Sequence, residues 1–159
     1  MENKPTRLWV FFAIPILIGL IAFRIVNGPL FYQDVSLLNA IADNDMETVA
    51  KLLDSGADIE MQDIRGYSAL HQTKNPDMAE FLINNGADMN VQNKKGETPL
   101  HESLQWQNLE VAELLIKNGA NLNIKNNLGL TALDLAKISI QPNRMPEMIV
   151  KRGGKTGKE

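Results

Sequence analysis

Two histidines, His71 and His101, are the residues of this 159-residue chain whose type and spacing most invite a chemical reading. Each follows a hydroxyl by three positions, Ser68 before His71 and Thr98 before His101. A hydroxyl within reach of an imidazole is half of a nucleophilic site. The other half is missing: no third group stands in a recognisable triad context, and zinc would need at least one more ligand than the two imidazoles supply. Asp58, Asp88 and Asn121, each directly after a Gly-Ala pair, form a second array that resembles a set of carboxylates. Side chains of this kind cap local turns by accepting from nearby backbone amides, and that structural role is the expectation here. With no cysteine in the chain, disulfides, thiolate metal sites and thiol catalysis are excluded. The residue inventory therefore predicts no catalytic residues, no metal and no cofactor.

The elements that hold these residues come as copies of one phrase. "DSGADIEMQDIRGYSALH" ends at His71, "NNGADMNVQNKKGETPLH" at His101, and "KNGANLNIKNNLGLTALD" at Asp134. Gly56 and Gly66, Gly86 and Gly96, and Gly119 and Gly129 are each ten residues apart, so the linking segment has one length and one geometry. Between the links lie "METVAKLLDSGAD", "PDMAEFLINNGAD" and "LEVAELLIKNGAN", whose apolar residues recur at helical spacing. Gly56, Gly86 and Gly119 follow these helices where a left-handed closing residue is needed.

On these phrases the chain resembles the ankyrin repeat family, and "GETPLHESLQWQNLEVAELLIKNGANLNIKNN" is a near-complete copy of its pattern. The resemblance covers residues 34–153. It implies an all-α fold, a solenoid of about four helix-turn-helix units joined by β-turn fingers, with units at 34–63, 64–93, 94–126 and 127–153 and a basic tail at 154–159. A lone unit cannot bury its apolar faces, so units stack and the end units become atypical. The first lacks the TPLH phrase and reads as an amino-terminal cap; the last carries Pro142 and Pro146, which should break it between its helices. The second is short. From His71 to Gly86 is 15 residues, against 18 from His101 to Gly119, and "KNPD" sits at the expected inter-helix turn. Its first helix should lose about a turn, with Pro76 or Asp77 starting the next, leaving a notch between neighbouring units. In this family the Ser/Thr hydroxyl and the histidine bond each other and the neighbouring finger, a stapling role for His71 and His101.

Ankyrin-like solenoids bind along a concave face of finger tips and first helices. Carried over by position, that face comprises Ile64, Arg65 and Tyr67 in the second unit, Lys94, Lys95 and Glu97 in the third, and Asn127, Leu128 and Leu130 in the fourth. On the first helices it comprises Gln72, Glu102, Gln105 and Trp106. Trp106, in "LQWQN", occupies a helix end that usually carries something small or polar. It is either an interface anchor or a filler folded over the notch. With Tyr67, Arg65, Lys94 and Lys95 it forms an aromatic and basic group suited to an acidic protein surface; Glu97 and Glu102 on the same face argue against nucleic acid.

Ahead of the repeats runs "LWVFFAIPILIGLIAFR", with no charge from Leu8 to Phe23. As a helix continued to Val26, with Arg24 snorkelling, it spans about 28 Å, close to the thickness of a bilayer's hydrocarbon. The expected layout is 1–7 cytoplasmic, 8–26 a transmembrane signal-anchor, and 27–33 a short linker. Lys4 and Arg7 also suit a cleavable signal, but no small-x-small cleavage site follows the run. Behind Arg24 there is no lysine or arginine before Lys51, so the positive-inside rule keeps the amino terminus in the cytoplasm and places the repeats outside it. The compact repeats resemble bacterial ankyrin proteins, for which outside is the periplasm; secretion after cleavage is the alternative.

The formal charge is −3. Asp34 to Asp63 holds eight carboxylates against Lys51 alone, while Lys137 to Glu159 holds six cations against two acids. That polarity keeps the ends soluble or steers a partner with a basic surface to the membrane-proximal end. A net acidic body is a poor phosphate-backbone binder. The leading function is a non-enzymatic, membrane-tethered module that binds another protein at or near the bilayer, with no nucleic acid and no small-molecule substrate. The runner-up is a periplasmic inhibitor or immunity protein occluding a toxin or hydrolase; an enzyme is disfavoured.

Overall fold

The computed structural model describes residues 29–138 and 144–158, with side chains from Ser36 onward. The segment 1–7, the apolar run 8–26 and Pro142 lie outside them, and no helix among the described residues is long and apolar enough to cross a membrane. The described helices pair off in chain order: α1 (Pro29–Ala42) with α2 (Met46–Asp54), α3 (Ala69–Gln72) with α4 (Pro76–Asn84), α5 (Pro99–Gln105) with α6 (Leu109–Lys117), and α7 (Ala132–Ile138) with α8 (Met145–Lys151). First helices stack as α1 on α3, α3 on α5 and α5 on α7. Second helices form another layer, α4 on α6 and α6 on α8. Among the described residues the fold is all-helical, with one isolated bridge from Gln62 to Ser68.

Caps explain where helices start. Asp45 accepts from the Thr48 amide ahead of α2, Asn75 from the Asp77 amide ahead of α4, and Asn108 from the Val111 amide ahead of α6. Pro76, Pro99 and Pro146 sit in first turns, where the missing N–H does no harm. Pro146 falls in the first turn of α8, a helix separate from α7, in keeping with a proline that divides the last unit between its helices. The stretch 27–33, expected as a linker, is helical from Pro29, because proline is equally at home in a first turn and the apolar cap helix extends back to it.

Each finger is closed by one Asx residue. The side-chain oxygen of Asp63 accepts from the Arg65 and Tyr67 amides at 2.8 and 2.9 Å. That of Asn93 accepts from Lys95 and Glu97 at 2.8 and 3.0 Å, and that of Asn126 from Leu128 and Leu130 at 3.0 Å each. Adjacent fingers join through main chain, Lys94 N–H to Arg65 C=O at 3.0 Å and Asn127 N–H to Lys95 C=O at 2.9 Å. The approach is close enough that a Cβ on Gly66, whose φ is +83°, would lie 2.9 Å from the Lys94 nitrogen. A side chain there is excluded by backbone conformation and by space alike.

The core runs the length of the stack between the two helix layers. Leu37 and Ile41 meet Val49; Leu70, Leu82 and Met78 follow; then Leu100, Leu115 and Ile116; then Leu133, Met145 and Ile149, all buried. Each leucine truncated to alanine here should cost about 2–5 kcal/mol. The fourth unit is held further by Glu113, which takes both Arg144 and Lys117 as ion-pair partners, and by Arg152, whose Nη1 donates to Ile116 C=O at 3.0 Å.

Candidate functional site

The histidines are building material for the interfaces between units. His71 is 1% exposed; its Nδ1 faces the Ser68 amide at 3.2 Å and the Ser68 Oγ at 2.9 Å. An amide can only donate, so Nδ1 accepts and the proton resides on Nε2, which donates to Glu97 C=O at 2.9 Å in the next finger. His101 repeats the arrangement with Thr98 at 3.2 and 2.8 Å and reaches Leu130 C=O at 3.2 Å. Burial holds both imidazoles below the ordinary histidine range, which keeps them neutral. In the fourth unit Asp134 stands at the histidine position, accepting from Thr131 and from the Gly157 amide at 2.7 Å. Asp58, Asp88 and Asn121 accept from the amides two residues ahead, at 2.9, 2.8 and 3.0 Å.

The shortened unit opens a recess on the first-helix side. In the first and third units the first helix runs into a residue with positive φ, Asn44 at 57° and Gln107 at 56°, before the second begins. The second unit has no such residue. Its α3 stops at Gln72 and the chain leaves extended through Thr73 and Asn75, as a residue before proline prefers. Asn108 of the next unit grips this segment by donating to Lys74 C=O at 2.7 Å. The missing turn leaves a notch of about 450 Å³, walled by Ile41, Ala42 and Asn44 on the first unit, Arg65, Tyr67 and Gln72 on the second, and Lys74, Asn75 and Trp106 at its rim. A shallower groove of about 410 Å³, lined by Leu38, Met61, Asp63 and Ile64 among others, shares Gln72 with it.

Below the notch lies a buried polar network. Tyr67 donates to Glu102; burial first, and then that bond, push its phenol up to about 12. Glu102 and Glu97 interact side chain to side chain and share the Asn93 amide as a neighbour. Burial raises Glu102. It opposes ionisation of Glu97 too, but bonds from Gln105, Glu102 and Asn93 outweigh it and hold that carboxyl below the usual range. Gln105 Nε2 lies 2.6 Å from Glu97 and Asn93 Nδ2 lies 3.1 Å from Glu102.

A family model described as Ankyrin repeats (3 copies) matches residues 37–126 and again 72–143. The chain belongs to the ankyrin repeat family. Ankyrin repeats generally act as protein–protein interaction modules, and the family is typically non-enzymatic. A search of curated proteins returned no match.

The ankyrin face named from sequence divides into three groups. Ile64 and Leu128 are 88% and 81% exposed at finger tips, with Lys94, Lys95 and Asn127 also exposed. Arg65, Tyr67, Gln72 and Trp106 come together at the notch, with Arg65 4.9 Å above the Tyr67 ring and Trp106 45% exposed. Glu97 and Glu102 are buried, at 6% and 3%, with Gln105 bonded to them from the surface, and Leu130 is half-buried. Those two carboxylates are occupied by the network beneath the face. Sequence reasoning missed Lys74, whose Nζ stands 5.5 Å from the Trp106 ring centre, and Asn44 on the opposite wall. The three-residue deficit was the signal for both, since it decides what borders the gap.

Proposed function

We propose that this ankyrin chain is a membrane-tethered protein-interaction module, without chemistry of its own, that holds a partner protein at or near the bilayer through its concave face. The supporting observation is the notch: a large recess on the first-helix face, bordered by a half-exposed tryptophan, a half-buried tyrosine and two cations. Aromatic and arginine side chains are the residue types that anchor protein interfaces. The histidines, the repeat's other polar groups, are spent on stapling units together. In this reading residues 8–26 form a single-pass anchor and flanking charge turns the repeats to the periplasmic side of an inner membrane.

Two measurements test it. A photo-crosslinker replacing Gln72 in the full chain in membranes should yield one discrete adduct, whereas the same group replacing Glu80, exposed on the outer helix layer, should not. Adducts from Glu80 alone would reject the concave face. Mass spectrometry of the mature amino terminus should find residues 1 to 28 retained; their loss would reject the anchor.

A further inference from the structure

We propose that the notch recognises an acidic segment of the partner, taking an aspartate or glutamate side chain between Lys74 and Arg65 while a neighbouring apolar side chain lies against Trp106. The inference rests on the interaction-module reading and names the chemistry of the partner at that site.

Charge complementarity carries it. Among the notch's lining residues Arg65 and Lys74 are the charged ones, and neither wall contributes a carboxylate to the lining. Two of the acids nearby are already engaged, Asp63 by the Arg65 side chain and the Arg65 and Tyr67 amides, and Glu102 by Tyr67, Glu97 and Asn93, while Asp43, between the lining residues Ala42 and Asn44, is exposed and is not part of the lining. Arg65 spends Nε and Nη2 on Asp63, each at 3.3 Å, and makes no bond through Nη1 among the described residues. Lys74 makes no ion pair among the described residues, its ammonium resting over the Trp106 ring at 5.5 Å. A cation held against an aromatic face keeps its charge directed and gains a carboxylate without first breaking a salt bridge.

Shape agrees with charge. A recess of about 450 Å³ admits a few side chains at once. Its floor holds Tyr67, which burial and Glu102 keep as a neutral phenol, so no negative charge develops below an incoming carboxylate from that ring. The indole of Trp106, 45% exposed, offers a ring face to an apolar neighbour. Sequence-local rigidity helps, since Asn108 pins the Lys74 backbone and the segment requires no folding upon binding.

The test is selection from a phage-displayed library of random linear peptides on the full-length chain in detergent micelles. Enriched peptides should pair Asp or Glu with an adjacent aromatic or aliphatic residue. A synthetic peptide of the enriched sequence should lose at least about tenfold in affinity with Lys74→Glu, and as much with Trp106→Ala. Lys151→Glu, exposed on the outer helix layer of the fourth unit and outside the binding face, should change it less than about threefold. Lys74→Met, neutral and exposed, repeats the test should the reversed charge disturb folding, and circular dichroism confirms each variant's helix content. Enrichment of basic or uncharged peptides, absence of any enriched peptide, or acidic peptides indifferent to Lys74→Glu would each overturn the inference. Crosslinking from Gln72 judges the interaction-module reading separately: a discrete adduct there together with any of those results would sink the acidic-segment assignment alone.

Discussion

Replacing His71 by alanine puts the stapling role of the histidines to a quantitative test. The imidazole is 1% exposed and makes three hydrogen bonds, from the Ser68 amide, from the Ser68 hydroxyl and to Glu97 C=O. Each bond is worth about 1 kcal/mol net. Glu97 C=O keeps the Asn93 amide as a donor at 2.9 Å, but the Ser68 amide, 98% buried with its residue, loses its acceptor, which adds about 1–3 kcal/mol. The void left by the ring adds to this, so the expected loss is about 3–5 kcal/mol out of a total on the order of 5–15 kcal/mol. Urea unfolding of the full chain in detergent, followed by helical circular dichroism, reads it directly. His101→Ala should cost less, because its reach to Leu130 C=O is longer at 3.2 Å and ends on a half-buried residue. Because Ser68 and His71 share the interaction, Ser68→Ala combined with His71→Ala should cost clearly less than the two losses added. A loss below about 1 kcal/mol for His71→Ala would refute the stapling account and reopen a chemical role for the imidazole.

Gly66→Ala should destabilise by about 2–4 kcal/mol, whereas Gly56→Ala, with a similar φ of +92° but open space around its Cβ, should cost only about 1 kcal/mol; equal losses in urea titrations would contradict the finger-contact geometry. Stability should fall as pH drops below the ordinary histidine value of 6.5, since the unfolded chain then takes up protons that the neutral, buried His71 and His101 refuse until lower pH. Below the ordinary carboxylate range a second loss should follow as Asp63, Asp134 and Glu97, all held low in the native state, are protonated; Glu102, held high, works in the opposite direction and loses its contribution as pH rises. Urea midpoints that do not change between about pH 7.5 and pH 5.5 would contradict the first step. Asp134→Ala removes acceptors for Thr131 and for the Gly157 amide, and should speed hydrogen exchange at Gly157 and Lys155; unchanged exchange would show that the tail does not rest on Asp134.

Helix pairs, their order and their glycine-closed links were legible because they recur: three copies of one phrase carry the same caps and the same apolar positions. The notch was legible too, as a deficit of three residues, because a missing helical turn cannot be absorbed elsewhere in a stack of fixed pitch. What borders it was not, since Lys74 and Asn44 are brought there by the early exit of α3 and by the turn of the preceding unit. The burial of Glu97 and Glu102 was hidden for another reason: charge in a sequence argues for exposure, and only the three-dimensional partners Tyr67, Asn93 and Gln105 reverse it. The tail's role also escaped notice. Residues 154–159 read as a basic segment, yet Lys155 N–H bonds Asn123 Oδ1 at 2.8 Å, as Asp88 N–H bonds Glu60 at 2.7 Å and Asn121 N–H bonds Asn90 at 2.7 Å. Its described residues, 154–158, lie on the fourth unit as the start of another finger, a placement their composition does not advertise.

The central claim, a binding module working through the notch and its surrounding face, is tested most directly by capture from membranes with the full chain and its Tyr67→Ala/Trp106→Ala double variant, each first checked for helix content. The account predicts that one protein or a small set is retained by the wild type and reduced at least about tenfold by the double variant, as expected when hot-spot anchors are removed. Capture of the same proteins in equal amounts by both would contradict it.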